Sequence, residues 1–204
     1  MSFTIEDMML TSEKQYDMKF LAGRNGWSNS ISWVHLLEDT TIIQNFWGKE
    51  LAVTTGLGFP ELIDWMHLAK ELVHHHSAGL IVNVGQYILE IPDELKQYCD
   101  ENDLPLRTVP WEVHLSDMIK DFSIRVFFFY SADEQIVSTL ISAIEAPDNQ
   151  DAYRKELLPY FDVDGSFQVM LFTCEGLDAM DTVERKKLSY RIQVYLEEIT
   201  HNAS

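Results

Sequence analysis

The sequence predicts an α/β fold, a mainly parallel sheet with flanking helices, followed by a long helix and an incomplete second α/β unit. Three observations carry this expectation. Short apolar runs alternate with helical patterns over the first half of the chain, which is the signature of consecutive strand-helix-strand units. Leu80-Ile-Val-Asn-Val84 is almost wholly apolar, as a strand covered on both faces must be. From Leu115 the apolar residues recur at alternating spacings of four and three, the period of a long helix.

Composition narrows the class further. A chain of 204 residues with 46% hydrophobic residues can bury a real core, as one large domain or two small ones. Its 33 acidic and 15 basic residues leave a formal charge of -18, and the largest basic cluster is Arg185-Lys186-Lys187. Such a chain repels phosphate backbones and anionic lipid surfaces, so it reads as a poor nucleic-acid binder with no membrane partner. Cys99 and Cys174 do not make a disulfide framework, and Glu6 and Asp7 do not suit a secretory signal. No apolar run approaches the ~18 residues of a membrane span, which points to a cytoplasmic location.

Taken in order, Thr4 with Asp7 is a capping pair that starts a helix running to about Ser12, and Phe3 can staple onto Met8. Met18 to Ala22 is a strand, and Gly23-Arg24-Asn25-Gly26 is a turn in which Asn-Gly supplies the positive φ. Ile31 to His35 is the next strand, with Ile31, Trp33 and His35 on one face. Glu50-Leu-Ala-Val-Thr54 leads into Thr55-Gly56-Leu-Gly58, and Pro60 opens a helix with Leu62, Trp65, Met66, Ala69, Leu72 and Val73 as its buried stripe. Pro92 starts another helix, with Leu95, Tyr98 and Cys99 inward, and Leu104 to Val109 is a further strand. Leu115, Ile119, Phe122, Val126, Phe129, Ile136 and Leu140 then mark a helix ending before Pro147, either broken near Ser131 and lying on its own domain or forming the seam of a homodimer. A short helix from Ala152 to Tyr160, a strand from Phe167 to Thr173 and a helix from Val183 to Ile199 complete the chain.

Open α/β sheets place their ligands at strand ends, so Arg24, Trp33, His35, Glu50, Thr54, Thr55 and Gly56 are the candidate ligand-binding residues. The same residues also admit a purely structural reading, in which Thr54 and Thr55 cap a turn and Trp33 fills core. His74-His75-His76 cannot converge on one metal ion, because consecutive helical residues diverge by ~100°. Asp162-x-Asp164-Gly165 lacks the later oxygen ligands of a calcium loop and reads as a turn. Gly56-x-Gly58 lacks the third glycine of a dinucleotide fingerprint, that place being Glu61. No nucleophile elbow or clustered triad occurs, so neither an enzyme nor a cofactor is expected.

The blocks Thr4-Ile-Glu-Asp7, Leu21-Ala-Gly23, Ile31-Ser-Trp-Val-His35, Gly48-Lys-Glu-Leu-Ala-Val-Thr-Thr-Gly56, Ala78-Gly-Leu80, Ile91-Pro92 and Leu104-Pro-Leu106 together resemble the N-terminal domain of the PucR family of bacterial transcription regulators, the purine catabolism regulatory protein-like domain. The resemblance implies a sensor domain over 1–125, a connecting helix over 126–146 and the start of a central GGDEF-like domain over 147–204. It further implies DNA binding through a C-terminal helix-turn-helix absent from this chain. On this footing the expected function is a sensory and dimerisation region that takes a small effector in purine or related nitrogen catabolism. The alternative is a structural assembly module without a small-molecule ligand. The Thr54-Thr-Gly56 loop also resembles, at the level of fold, the uracil-nucleotide-binding domain of Mur ligases.

Overall fold

In the computed structural model, residues 2–59, 64–160 and 162–165 are described, together with scattered positions between 173 and 196. Helix α1 (Ile5–Ser12) begins at Thr4, whose Oγ1 accepts from the Asp7 amide at 3.1 Å while the Asp7 carboxylate accepts from the Thr4 amide at 3.0 Å. This reciprocal cap satisfies two amides that the first turn leaves free. Phe3 and Met8 are buried in the same cluster behind it. The chain continues through β1 (Lys19–Ala22), β2 (Trp33–Leu36), β3 (Glu50–Thr54), α2 (Trp65–His74), β4 (Gly79–Val84), α3 (Asp93–Glu101), β5 (Leu106–Pro110), α4 (Leu115–Glu145) and α5 (Gln150–Leu157).

The strands form one sheet in the order β1-β5-β4-β3-β2. Strands β2 to β5 are parallel neighbours, and β1 closes the far edge antiparallel to β5, with Phe20 opposite Arg107. Because the parallel strands are laid down in one direction across the sheet, crossovers of uniform hand fall on one face. That face carries the short segment Thr40–Asn45, α2 and α3, where Ile43, Leu68, Leu72, Leu95 and Cys99 pack on Ala52, Leu80, Val82 and Leu106. The opposite face is covered by α1 and the first half of α4, with Met8, Met118, Phe122 and Val126 against Leu51, Val53, Ile81 and Val109. Neighbouring strand residues alternate between the two clusters and both are dry, which is why the strands read as continuous apolar runs.

Several local expectations shift. The left-handed residue after β1 is Gly23 (φ 77), where a Cβ would run into the Leu104 carbonyl, and Asn25-Gly26 instead lies within a 3-10 segment, Arg24–Ser28. Strand β2 begins only at Trp33, because the Ile31 amide donates to the Phe3 carbonyl at 2.6 Å. Ile31 therefore packs beside Val34 in the α1 and α4 cluster, whereas His35 faces the other way and stacks on Phe46 with ring centroids 5.0 Å apart. Helix α2 starts at Trp65, since the Asp64 carboxylate accepts from the His67 amide at 2.8 Å and so caps it there, and Leu68 rather than Met66 occupies the centre of its buried side. Pro60 and Leu62 lie outside the described residues. Helix α4 passes Ser131 without a break over 31 residues. The expected strand Phe167–Thr173 and helix Val183–Ile199 fall largely outside the described residues, so the second α/β unit does too. Asp162–Gly165 is a turn, with Asp164 paired to Arg154 at 2.6 Å.

The amino ends of β2, β3 and β4 meet at the turn that carries the buried Glu50. Glu50 accepts from the Trp47 amide at 2.7 Å and the Gly48 amide at 2.8 Å, and its own carbonyl accepts from the Ala78 amide and from Ser77 Oγ. The Ser32 amide donates to the Lys49 carbonyl at 2.9 Å, which joins β2 to the same turn. Burial pushes the Glu50 carboxyl above its ordinary value, and the two amides only partly offset it. A carboxyl that holds its proton more tightly in the folded chain contributes most stability below its unfolded value and loses that contribution as pH rises through the raised one. Urea unfolding of wild type and Glu50→Gln across pH should therefore show a difference in favour of wild type that is largest in acid and declines toward neutrality. A difference that grows with pH would contradict this account.

Candidate ligand-binding site

The parallel strands all run the same way, so residues at their two ends are separated by the length of the sheet. Trp33 and Glu50 pair across β2 and β3 at the amino edge, while Thr54, Thr55 and Gly56 sit at the carboxyl edge about 13 Å away by strand rise. Arg24 follows the antiparallel β1 and returns to the amino side, at the opposite flank of the sheet from β2. His35 lies in mid-strand against Phe46, and burial lowers its pKa. The seven expected binding residues therefore do not converge on one place.

Their local roles are visible in the hydrogen bonds. Thr54 Oγ1 accepts from the Gly56 amide at 3.1 Å and Thr55 Oγ1 from the Leu57 amide at 3.2 Å, so both hydroxyls close the turn after β3. Gly56 supplies its left-handed corner with φ 80, and Gly58 is pressed against the Glu38 carbonyl with no room for a Cβ. Trp33 is half exposed, and both Glu50 oxygens are occupied by the amides of the amino-edge turn. The strand order also never reverses among β2 to β5. A crevice at the carboxyl edge opens where crossovers diverge to opposite faces, and here they do not.

Among the described residues, one concave space lies where parallel pairing gives way to antiparallel pairing. A cleft of about 490 Å³ opens beside β1, β4 and β5 at the first turn of α3, with Leu21, Val84 and Ile91 as apolar walls and Thr108 and Lys96 as polar groups. The Lys96 ammonium is held by Asp93 at 2.7 Å. A second cleft of about 490 Å³ separates the end of α1 from the start of α4, between Tyr16, Asp17, Glu112 and His114. There Tyr16 reaches the Asp121 carboxylate at 3.4 Å, and burial first, then that carboxylate, raises the phenol pKa. Ile91 and Pro92 ahead of α3 line the first cleft, and nothing in the chain order marks them as a ligand site.

Strand β5 also carries a group that its sequence context hides. Arg107 is 1% exposed, with its guanidinium 5.4 Å from the Phe20 ring and 5.2 Å from the Trp27 ring. Neither its three nitrogens nor Trp27 Nε1 has a hydrogen-bond partner among the described residues. Burial lowers the Arg107 pKa to about 10, partly countered by the charge of Glu13. Burial, then Asp100, pushes the buried Cys99 thiol up to about 12. Among the described residues no three His, Cys, Asp or Glu side chains are placed to hold a metal ion, and no helix is long and apolar enough to cross a membrane.

The residues expected to form a dimer seam are mostly used within the chain. Phe122 and Val126 are buried against the sheet, and Leu115, Ile119 and Phe129 pack partly buried around them. Ile136 is buried farther along, one turn before Thr139 Oγ1 donates to the Glu156 carboxylate of the α5 region at 2.7 Å. Leu140 is 39% exposed. A spacing of four and three describes a helix lying on its own sheet as well as it describes a two-helix seam.

The model of the purine catabolism regulatory protein-like family, PucR, matches residues 8–126. The matched span takes in the whole sheet and stops at Val126, the last α4 residue buried against it. The chain is also similar to the purine catabolism regulatory protein of Bacillus subtilis (strain 168), with 26% identity over 103 residues, which are 48% of this chain. The aligned stretch is 19% of that relative's length. With more than half of its residues inside the family match, the chain belongs to the purine catabolism regulatory protein-like family.

Proposed function

We propose that the chain is the sensory and dimerisation region of a transcription regulator of purine or related nitrogen catabolism, and that it has no catalytic role. Its family and the regulatory name of the Bacillus relative support the class. In this reading 1–125 receives a small effector, 126–146 carries its state outward, and 147–204 begins a GGDEF-like central domain. DNA contact belongs to a helix-turn-helix outside this chain, in keeping with the net charge of -18.

The observation that carries the reading is the continuity of α4. Its first turns are part of the sheet's core through Met118, Phe122 and Val126, and the same unbroken helix runs on to Glu145. A helix rooted in a core and extending beyond it converts a repacking under one end into a displacement at the other. An effector in the cleft floored by Thr108 and Val84 sits at the end of β4 and β5, and β5 leads directly into α4. The Thr54–Gly56 turn shares that edge but uses its hydroxyls internally, so the Thr108 cleft is the better receptor.

A second reading, assembly through α4 itself, is favoured by its outer surface. Phe127 is 62% exposed, Phe128 66% and Ile144 80%; by the helical period Ile124, Phe127 and Phe128 lie opposite Phe122, while Val137, Ile141 and Ile144 form a second exposed apolar patch on the distal half of the helix. Apolar area of this extent on one helix marks an interaction surface, and a second copy of the chain would cover it symmetrically.

Two measurements follow. Thermal denaturation against purine-derived and amino-acid metabolites should find at least one that raises Tm saturably, and Thr108→Val should weaken its affinity roughly tenfold without lowering the Tm of the free chain. Failure of every metabolite at about 100 times a plausible Kd, where binding adds ~2.7 kcal/mol, would count against the sensor reading. In sedimentation the wild type should be a dimer that Phe127→Asp or Ile144→Asp dissociates with helix content unchanged, whereas Phe122→Asp should unfold the domain. A wild-type monomer at high concentration would sink the assembly reading.

A further inference from the structure

Arg107 poses a chemical question that neither cleft answers. In a chain of net charge -18, its guanidinium is 1% exposed, and no described residue accepts from Nε, Nη1 or Nη2. The adjacent Trp27 Nε1 is buried in the same condition. A guanidinium excluded from water suffers a large desolvation penalty unless an acceptor answers its donors. The rings that cover it, Phe20 and Trp27, offer only their faces, at 5.4 Å and 5.2 Å. Glu13 acts on it through space and makes no hydrogen bond to it.

Five N–H donors in a planar fork, with a further unanswered donor on the neighbouring Trp27 indole, are complementary to one kind of group, an oxyanion. Access is short. Phe20 and Trp27, the two rings beside the guanidinium, are each only partly buried and so reach solvent themselves. Trp27 belongs to the five-residue 3-10 segment Arg24–Ser28, which hangs from Gly23. Its ring meets Phe20 edge-on at 5.7 Å, and Arg24 lies 5.1 Å from the same indole, a second positive charge beside the entrance. Arg107 and Thr108 are consecutive on β5 and so face opposite sides of the sheet, which makes this place independent of the Thr108 cleft.

We infer that Arg107 and the Trp27 indole form a receptor for a single oxyanion, the carboxylate or phosphate group of a small metabolite, with Trp27 as the cover that lifts to admit it. The test uses the ¹⁵N-labelled chain with sodium acetate, sodium phosphate and, at matched ionic strength, sodium chloride. The readout is the Trp27 indole N–H resonance, identified by its loss in Trp27→Phe, together with Tm. Acetate or phosphate should move that resonance saturably and raise Tm beyond chloride, and the salt that acts distinguishes a carboxylate from a phosphate ligand. Arg107→Met removes the charge at similar length; it should keep the fold, melt no lower than wild type, and lose the response. Arg107→Lys keeps the charge without the fork and should weaken the response roughly tenfold or more.

The proposal is overturned if neither anion moves the resonance beyond chloride, or if Arg107→Met responds as wild type does. Should Arg107→Met fail to fold, an undiminished response in Arg107→Lys overturns it equally. A wild type silent to both anions, with Glu13→Gln lowering Tm, would name Glu13 as the acceptor in place of a ligand.

Discussion

The strands of the parallel sheet must be dry on both faces, and the rest of the molecule is arranged to meet that demand. Ala52, Leu80 and Val82 need cover on one side, and Leu51, Val53 and Ile81 on the other. The crossovers all lie on the first side, because the strand order advances without reversing. They leave the second face bare, and α1 is too short to cover it alone. Helix α4 completes the cover, and Phe122, with no exposed surface, is the residue that seats it. The helix that closes this core continues past it to Glu145 without a break. Replacing a buried Phe by Ala costs about 3–5 kcal/mol in general, so α4 is bound to the sheet by more than a loose contact.

The same topology explains where concave space opens among the described residues. A sheet wound in one direction lacks the diverging crossovers that open a central crevice, and Thr54 and Thr55 after β3 close turns on themselves. Space opens at β1, where antiparallel pairing ends the regular winding and leaves α3 to face Leu21 and Thr108 across a gap. Also at β1, Phe20 and the segment carrying Trp27 fold over Arg107. The Thr108 cleft and the aromatic cover over Arg107 thus both derive from one irregular strand.

How much of this was legible in the sequence depends on range. Thr4 with Asp7, the limits of β3 and the apolar run of β4 are set by neighbours a few residues away, and the expectations for them hold. Family membership was also readable, because the blocks around Trp33 and Thr54 keep their order and spacing. The candidate site was less so. Consecutive strands are visible in a sequence, but whether their spatial order reverses is not, and that decides whether strand ends make a crevice. The stripe from Leu115 to Leu140 fits a helix on a sheet and a helix on a helix equally, and only the bare second face chooses between them for Phe122 and Val126. Arg107 sits in a short strand that reads as any apolar strand with one charge, since the aromatic residues that bury it come from β1 and the segment after it.

The central claim is that α4 is one rigid lever seated in the sheet's core. Native-state hydrogen exchange of its amides in wild type and Phe122→Ala measures this directly. The account predicts that protection falls along the helix, including residues 130–145 beyond the sheet, because the seat is lost as a unit. A loss confined to the turns around Phe122, with the distal amides unchanged, would contradict it.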